Sequence, residues 1–156
     1  MTNSEPTGGV NDALVGSSYP PEGVFRVGAE HIAQFSAATG ATSPIHFDRA
    51  AAQDAGYDDV VAPPTFAVVV AQRAEAAYVR DPESGIDFSR VVHGEEHFTH
   101  HRPIVAGDEL VTTVHVESVV HRGALDMVTT RAEIADAAAT PVATVTSTLV
   151  VRGADS

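Results

Sequence analysis

The sequence contains no cysteine and no lysine; all nine basic residues are arginine. Without cysteine there is no disulfide, no thiolate metal ligand and no cysteine nucleophile. Without lysine there is no Schiff base, which removes the usual pyridoxal chemistry and one aldolase class. Positive charge is scarce altogether. Nine arginines face 21 acidic residues, for a net charge of -12. Most of such a surface repels nucleic acid and anionic membranes, so neither is expected as a partner. A local arginine patch could still hold an acidic cofactor or carrier. No apolar run reaches the roughly 18 residues of a membrane span. Met1 to Asp12 lacks the basic and apolar regions of a signal peptide, and a cytoplasmic location is expected. What is present is enough for one core: 156 residues, 44% hydrophobic and 19% charged, point to a single folded domain.

The polar, Gly- and Pro-containing stretch 1–12 and the tail 153–156 are expected to be disordered, leaving a domain over 13–152. Its first half reads as helical. Ile32, Phe35 and Ala38 fall at helical spacing within Glu30 to Thr39, and Gly40 is a stop signal. Asp48 is placed to cap a short helix ending near Ala55. Pro63-Pro64 biases the preceding residue to extended backbone, so a helix is expected from Pro64 to about Val79. Its run from Phe66 to Ala71 has almost no polar face, which implies burial on all sides. The second half reads as strands: Val91–Arg102, Val111–Val120, Leu125–Ile134 and Val142–Val151. In the last, Ala143, Val145, Leu149 and Val151 alternate with Thr144, Thr146 and Thr148. Short turns at Gly107-Asp108, His121 to Gly123 and Asp136 to Pro141 imply antiparallel neighbours. The expected class is α+β, with an antiparallel sheet around a buried helix.

The segment Phe35 to His46, FSAATGATSPIH, carries the most information. It resembles the signature of MaoC-like hydratases: an aromatic, Gly-Asp, a spacer, Asn-Pro, an aliphatic residue and His. Phe35, Gly40, Pro44, Ile45 and His46 fit that pattern. Ala41 stands where the Asp is expected and Ser43 where the Asn is. Val61 to Phe66 at a helix start, Val92-His93-Gly94, and His101-Arg102-Pro103 before Ala106-Gly107-Asp108 extend the resemblance. Together they are similar to actinobacterial single-hot-dog relatives, including subunits of heterodimeric hydroxyacyl-carrier-protein dehydratases.

The resemblance implies a hot-dog fold, a homodimer or a heterodimer with a second hot-dog subunit, and a coenzyme A or carrier-protein acyl thioester as ligand. The implied reaction is reversible removal of water from a (3R)-hydroxyacyl thioester, with no cofactor and no metal. That chemistry needs a base for the weakly acidic α-proton, and histidine is suited to it. It needs an acid for the poor hydroxyl leaving group, and N–H donors for enolate charge on the thioester oxygen. The resemblance makes His46 the base. Ser43, Pro64, Thr65 and Phe66 become substrate-binding positions, with the amides near Thr65 and Phe66 as oxyanion donors. Ala41 cannot move protons. Three accounts stay open: a partner chain carries the complete pair, Asp48 or Glu95 substitutes, or the alanine is an engineered replacement. A non-catalytic acyl-thioester-binding subunit is the alternative function. A thioesterase would need a carboxylate near the helix start, and Ala62 to Phe66 has none.

The run His93, Glu95, Glu96, His97, His100, His101 invites a metal reading. Strict strand alternation puts His93, Glu95, His97 and Thr99 on one face and Glu96, Phe98 and His100 on the other. Surface residues of a strand are the expected outcome there.

Overall fold

The computed structural model describes residues 9–153. Three helices precede most of a six-stranded sheet. The periodic segment before Gly40 forms α1 (Ala29–Ala38), which buries Ile32 and Ser36. Asp48 caps α2 (Arg49–Asp54), its Oδ1 accepting the Ala50 and Ala51 N–H groups at 2.8 and 3.4 Å. The helix expected from Pro64 begins as a 3-10 turn, Pro64–Phe66, and becomes α-helical as α3 (Ala67–Val79).

Two short strands not anticipated from the sequence, β1 (Ser18–Tyr19) and β2 (Phe25–Arg26), both pair with β4. They are too short to show alternation. The long strands are β3 (Val91–His100), β4 (Glu109–Arg122), β5 (Leu125–Asp136) and β6 (Pro141–Arg152). All pairs are antiparallel, in the order β1-β4-β5-β6-β3. The register aligns Val114, Ala132, Val145 and Phe98 across four strands, an apolar row on one face. That face and α3 enclose the main core, which includes Phe66, Ala67, Val70 and Ala71. The expected α+β arrangement, one long helix over one antiparallel sheet, is what the chain adopts. No helix is long and apolar enough to cross a membrane among the described residues.

Three local expectations need correction. First, α3 is not buried all round. Ala67, Val70, Ala71, Glu75 and Tyr78 are buried, Val68 and Val69 are half-buried, and Gln72 and Arg73 are exposed. A single sheet covers only one side of a helix. Second, β3 does not alternate strictly. A bulge at Gly94 shifts the register between His93 and Glu95, so His93 joins the inward row opposite buried Leu149. Glu96, Phe98 and His100 follow it opposite Ser147, Val145 and Ala143. Third, residues 9–12 are held in place. Val10 is buried in a second cluster with Tyr78 and Leu149, and its N–H donates to Asp126 Oδ2 at 2.8 Å. Asn11 N–H donates to Ser84 O at 2.8 Å. Gly153 N–H likewise donates to Ala124 O at 2.8 Å. Residues 1–8 and 154–156 of the expected tails lie outside the described residues.

Candidate active site

The motif segment is fixed at both ends by local chemistry. At the end of α1, Gly40 takes a left-handed φ of 77°. Gly40 N–H donates to Ala37 O and Ala41 N–H to Ser36 O, at 3.3 and 2.9 Å, which is the Schellman stop. Ala41 is therefore held just past the helix end, half-buried. Ser43-Pro44 then opens a 3-10 turn, Pro44–His46, in which Phe47 and Asp48 N–H groups return to Pro44 O. Proline has the φ such a turn needs and no N–H to satisfy.

This turn is clipped to the segment before α3. Val61 N–H donates to Ile45 O at 2.9 Å, and His46 Nδ1 lies 2.5 Å from Val61 O. A carbonyl only accepts, so Nδ1 carries the proton. In the neutral ring Nε2 is then the lone-pair nitrogen, the form a general base requires. Ala62 N–H donates to Ile104 O and Ala106 N–H to Val60 O, at 2.8 and 3.0 Å, joining the residues after β3 to the same segment. His100 closes the third side: its Nε2 donates to Pro64 O at 2.8 Å.

These three segments line a cavity of about 460 Å³. His46, Tyr57, Pro64, His100, His101 and Arg102 face it, with Ile45, Ala62 and Ile104 supplying apolar wall. None of its lining residues is a carboxylic acid. The Arg102 guanidinium is committed elsewhere, donating to both Asp108 oxygens at 2.8 and 3.2 Å and lying 3.6 Å from Asp136. Those carboxylates push its pKa further up.

The residues expected at the site divide. His46 and Pro64 line the cavity; Ser43 does not, and its exposed side chain makes no capping bond. Thr65 is exposed at the helix start, and its N–H has no hydrogen-bond partner among the described residues. Phe66 must be corrected. Its side chain is fully buried, edge-on to Phe35 and His31 at 5.4 and 5.2 Å, and its N–H is spent on Pro63 O at 2.9 Å. It anchors the motif to α3 and has neither side chain nor amide free for a ligand. Neither substitute carboxylate reaches the cavity. Asp48 is used as the α2 cap, and Glu95 accepts from His97 Nε2 at 2.8 Å on the outer face of β3. His100 was visible in the sequence only as part of a histidine run. Its bond to Pro64 joins the end of β3 to the helix start, a tertiary meeting that no local pattern announces. No group of three or more metal-ligating side chains converges among the described residues.

Comparison with known proteins gives a consistent answer. The family described as FAS1-like, dehydratase domain region, matches residues 13–145. A UPF0336 protein of Saccharopolyspora erythraea is 49% identical over 144 residues, covering 92% of each chain. A chain of the C-terminally truncated HadBC (3R-hydroxyacyl-ACP dehydratase) complex from Mycobacterium tuberculosis superposes with a TM-score of 0.80 at 31% identity, over 88% of this chain and 96% of that one. A MaoC-like dehydratase also gives 0.80, at 34% identity, over 92% of this chain and 43% of the longer protein.

Proposed function

The chain belongs to the FAS1-like dehydratase-region family, and from that premise we propose that it is one subunit of a hot-dog (3R)-hydroxyacyl-thioester dehydratase that acts with a second chain. The observation that carries this is the His46 cavity, with a base in the correct tautomer and no acid among its lining residues, next to a helix start whose Thr65 N–H is unpaired among the described residues. In the dehydration direction His46 Nε2 takes the proton from the carbon next to the thioester carbonyl. The C–H electron pair moves toward the carbonyl, and the charge that develops on its oxygen is met by the Thr65 N–H. Expulsion of the 3-hydroxyl as water forms the double bond and requires a proton from an acid. Ala41 supplies none, so the acid comes from the partner chain and this subunit is slow alone.

The absence of a carboxylate from the cavity lining also favours a second reading, in which this chain binds the acyl thioester and all chemistry lies in the partner. Hydration of a crotonyl thioester separates the two. The chain is assayed alone and co-expressed with a hot-dog subunit that has an intact Gly-Asp-x-Asn-Pro-x-His motif. Activity is expected only in the pair, with His46→Ala in this chain lowering the rate at least tenfold. An unchanged rate in the His46→Ala pair would transfer the assignment to the binding reading. Full activity of the lone chain, insensitive to His46→Ala, would remove both.

A further inference from the structure

The strand β3 ends the sheet: on one side it pairs with β6, and no strand covers its other side among the described residues. Ten residues of unpaired backbone are a template for another strand. Above this edge a cavity of about 700 Å³ opens between α3 and β3, with Val69, Gln72, Glu75, Val79, Val91 and His93 among its walls. Exposed Val92 and Phe88 flank it. The apolar part of this surface would suit a copy of the same chain. The charged part does not.

Glu75 is buried on α3 and accepts from Thr130 Oγ1 of β5 at 2.7 Å. Glu96 faces it from β3. Its Oε2 accepts from Ser147 Oγ of β6 at 2.8 Å, while its Oε1 is buried without a hydrogen-bond partner. The nearest base is His93, whose Nε2 is 3.9 Å from that oxygen and 3.2 Å from Gln72 Nε2. At 3.9 Å His93 leaves that oxygen without a hydrogen bond. Burial and the charge of Glu75 push the Glu96 carboxyl above its ordinary range. Glu95 lies one residue away on the outer face.

A symmetric dimer pairs an edge with itself about a two-fold axis. The middle of β3, residues 91 to 100, falls at Glu95-Glu96. Antiparallel pairing of two copies about an axis at Glu95 would therefore set that side chain opposite its own counterpart on the outer face and bring the two Glu96 carboxyls diagonally together on the inner face, with a Glu75 carboxyl near each. Like charges directly opposite are destabilising, and each chain brings a net charge of -12.

Resting on the two-chain reading above, we propose that the β3 edge selects its partner by charge: it disfavours a second copy of this chain and docks a hot-dog subunit whose edge strand carries arginine or lysine opposite Glu95 and Glu96. A basic side chain there completes the orphaned Glu96 oxygen and neutralises the acidic centre, while the rest of the strand supplies the backbone ladder. Selectivity of this kind needs the repulsion as well as the attraction.

Sedimentation equilibrium of the full chain at low salt and neutral pH tests it. The Glu95→Gln, Glu96→Gln variant should self-associate at least tenfold more tightly than the unmodified chain. The remote pair Glu22→Gln, Asp54→Asn, with the same change in net charge, should gain less than twofold. A Glu95→Lys, Glu96→Gln chain, mixed with the unmodified one, should form the mixed dimer in preference to either self-dimer. Equal self-association of unmodified and neutralised chains, an equal gain from the remote pair, or no mixed dimer would each overturn the proposal. None of these readouts involves turnover, so a failed edge code and a failed dehydratase reading remain separable.

Discussion

The substitution Ala41→Asp asks most directly whether the cavity around His46 lacks only its acid. The backbone there is set by the α1 stop, with Ala41 N–H on Ser36 O and Gly40 in the left-handed region. A side chain that begins at Ala41 Cβ is carried by a fixed main chain. An acid/base partner is worth on the order of 10²–10⁴ in rate, about 3–5 kcal/mol. A carboxylate grafted into a site whose surroundings were not shaped for it should recover part of this, so at least tenfold, about 1.4 kcal/mol, is expected. The cost to folding is small. An added negative charge one turn from a helix C-terminus costs about 0.3–1 kcal/mol, or roughly 1–4 °C of Tm for a chain of this size. The assay is crotonyl-thioester hydration by purified Ala41→Asp, with Ala41→Asp, His46→Ala as control. The gain should vanish in the control because acid and base act as a unit. A folded Ala41→Asp chain that binds an acyl thioester yet hydrates no faster would refute the view that one carboxylate is the missing part.

Two further outcomes are expected of the lone chain. Phe66→Ala removes a fully buried ring that touches Phe25, His31 and Phe35; it should cost about 3–5 kcal/mol in chemical denaturation, and a loss under about 1 kcal/mol would contradict its role as the anchor of the motif segment. Glu96→Gln should stabilise the fold at pH 8 more than at pH 5. A carboxyl whose folded-state pKa is raised binds its proton more tightly when folded, so stability falls as pH rises past the unfolded value and the penalty is complete above the folded one. Glutamine carries no such penalty, and a gain that is the same at both pH values would show that the Glu96 environment has been misread.

Much of this protein was legible before its structure. The extents of α1, α2 and the four long strands follow from short-range rules: the 3.6-residue period around Ile32 and Phe35, the Asp48 cap, and the two-residue alternation of β6. The motif around Gly40 to His46 was equally visible, because a Schellman glycine and a proline-led turn are local devices. Tertiary structure decided what local pattern leaves open. That Val61 O fixes the His46 tautomer, and that His100 reaches Pro64, depends on segments brought together by sheet register. Phe66 was assigned to the ligand, but a ring at a helix start turns either outward or into the core, and only the neighbouring Phe35 and His31 settle which. A single bulged residue, Gly94, moved His93 to the inner face that Glu96 occupies beneath Glu75. The physical reason is common to all four. Hydrophobic periodicity fixes which face of an element is buried, whereas the meeting of particular side chains depends on register, bulges and crossing geometry, which distant parts of the chain impose.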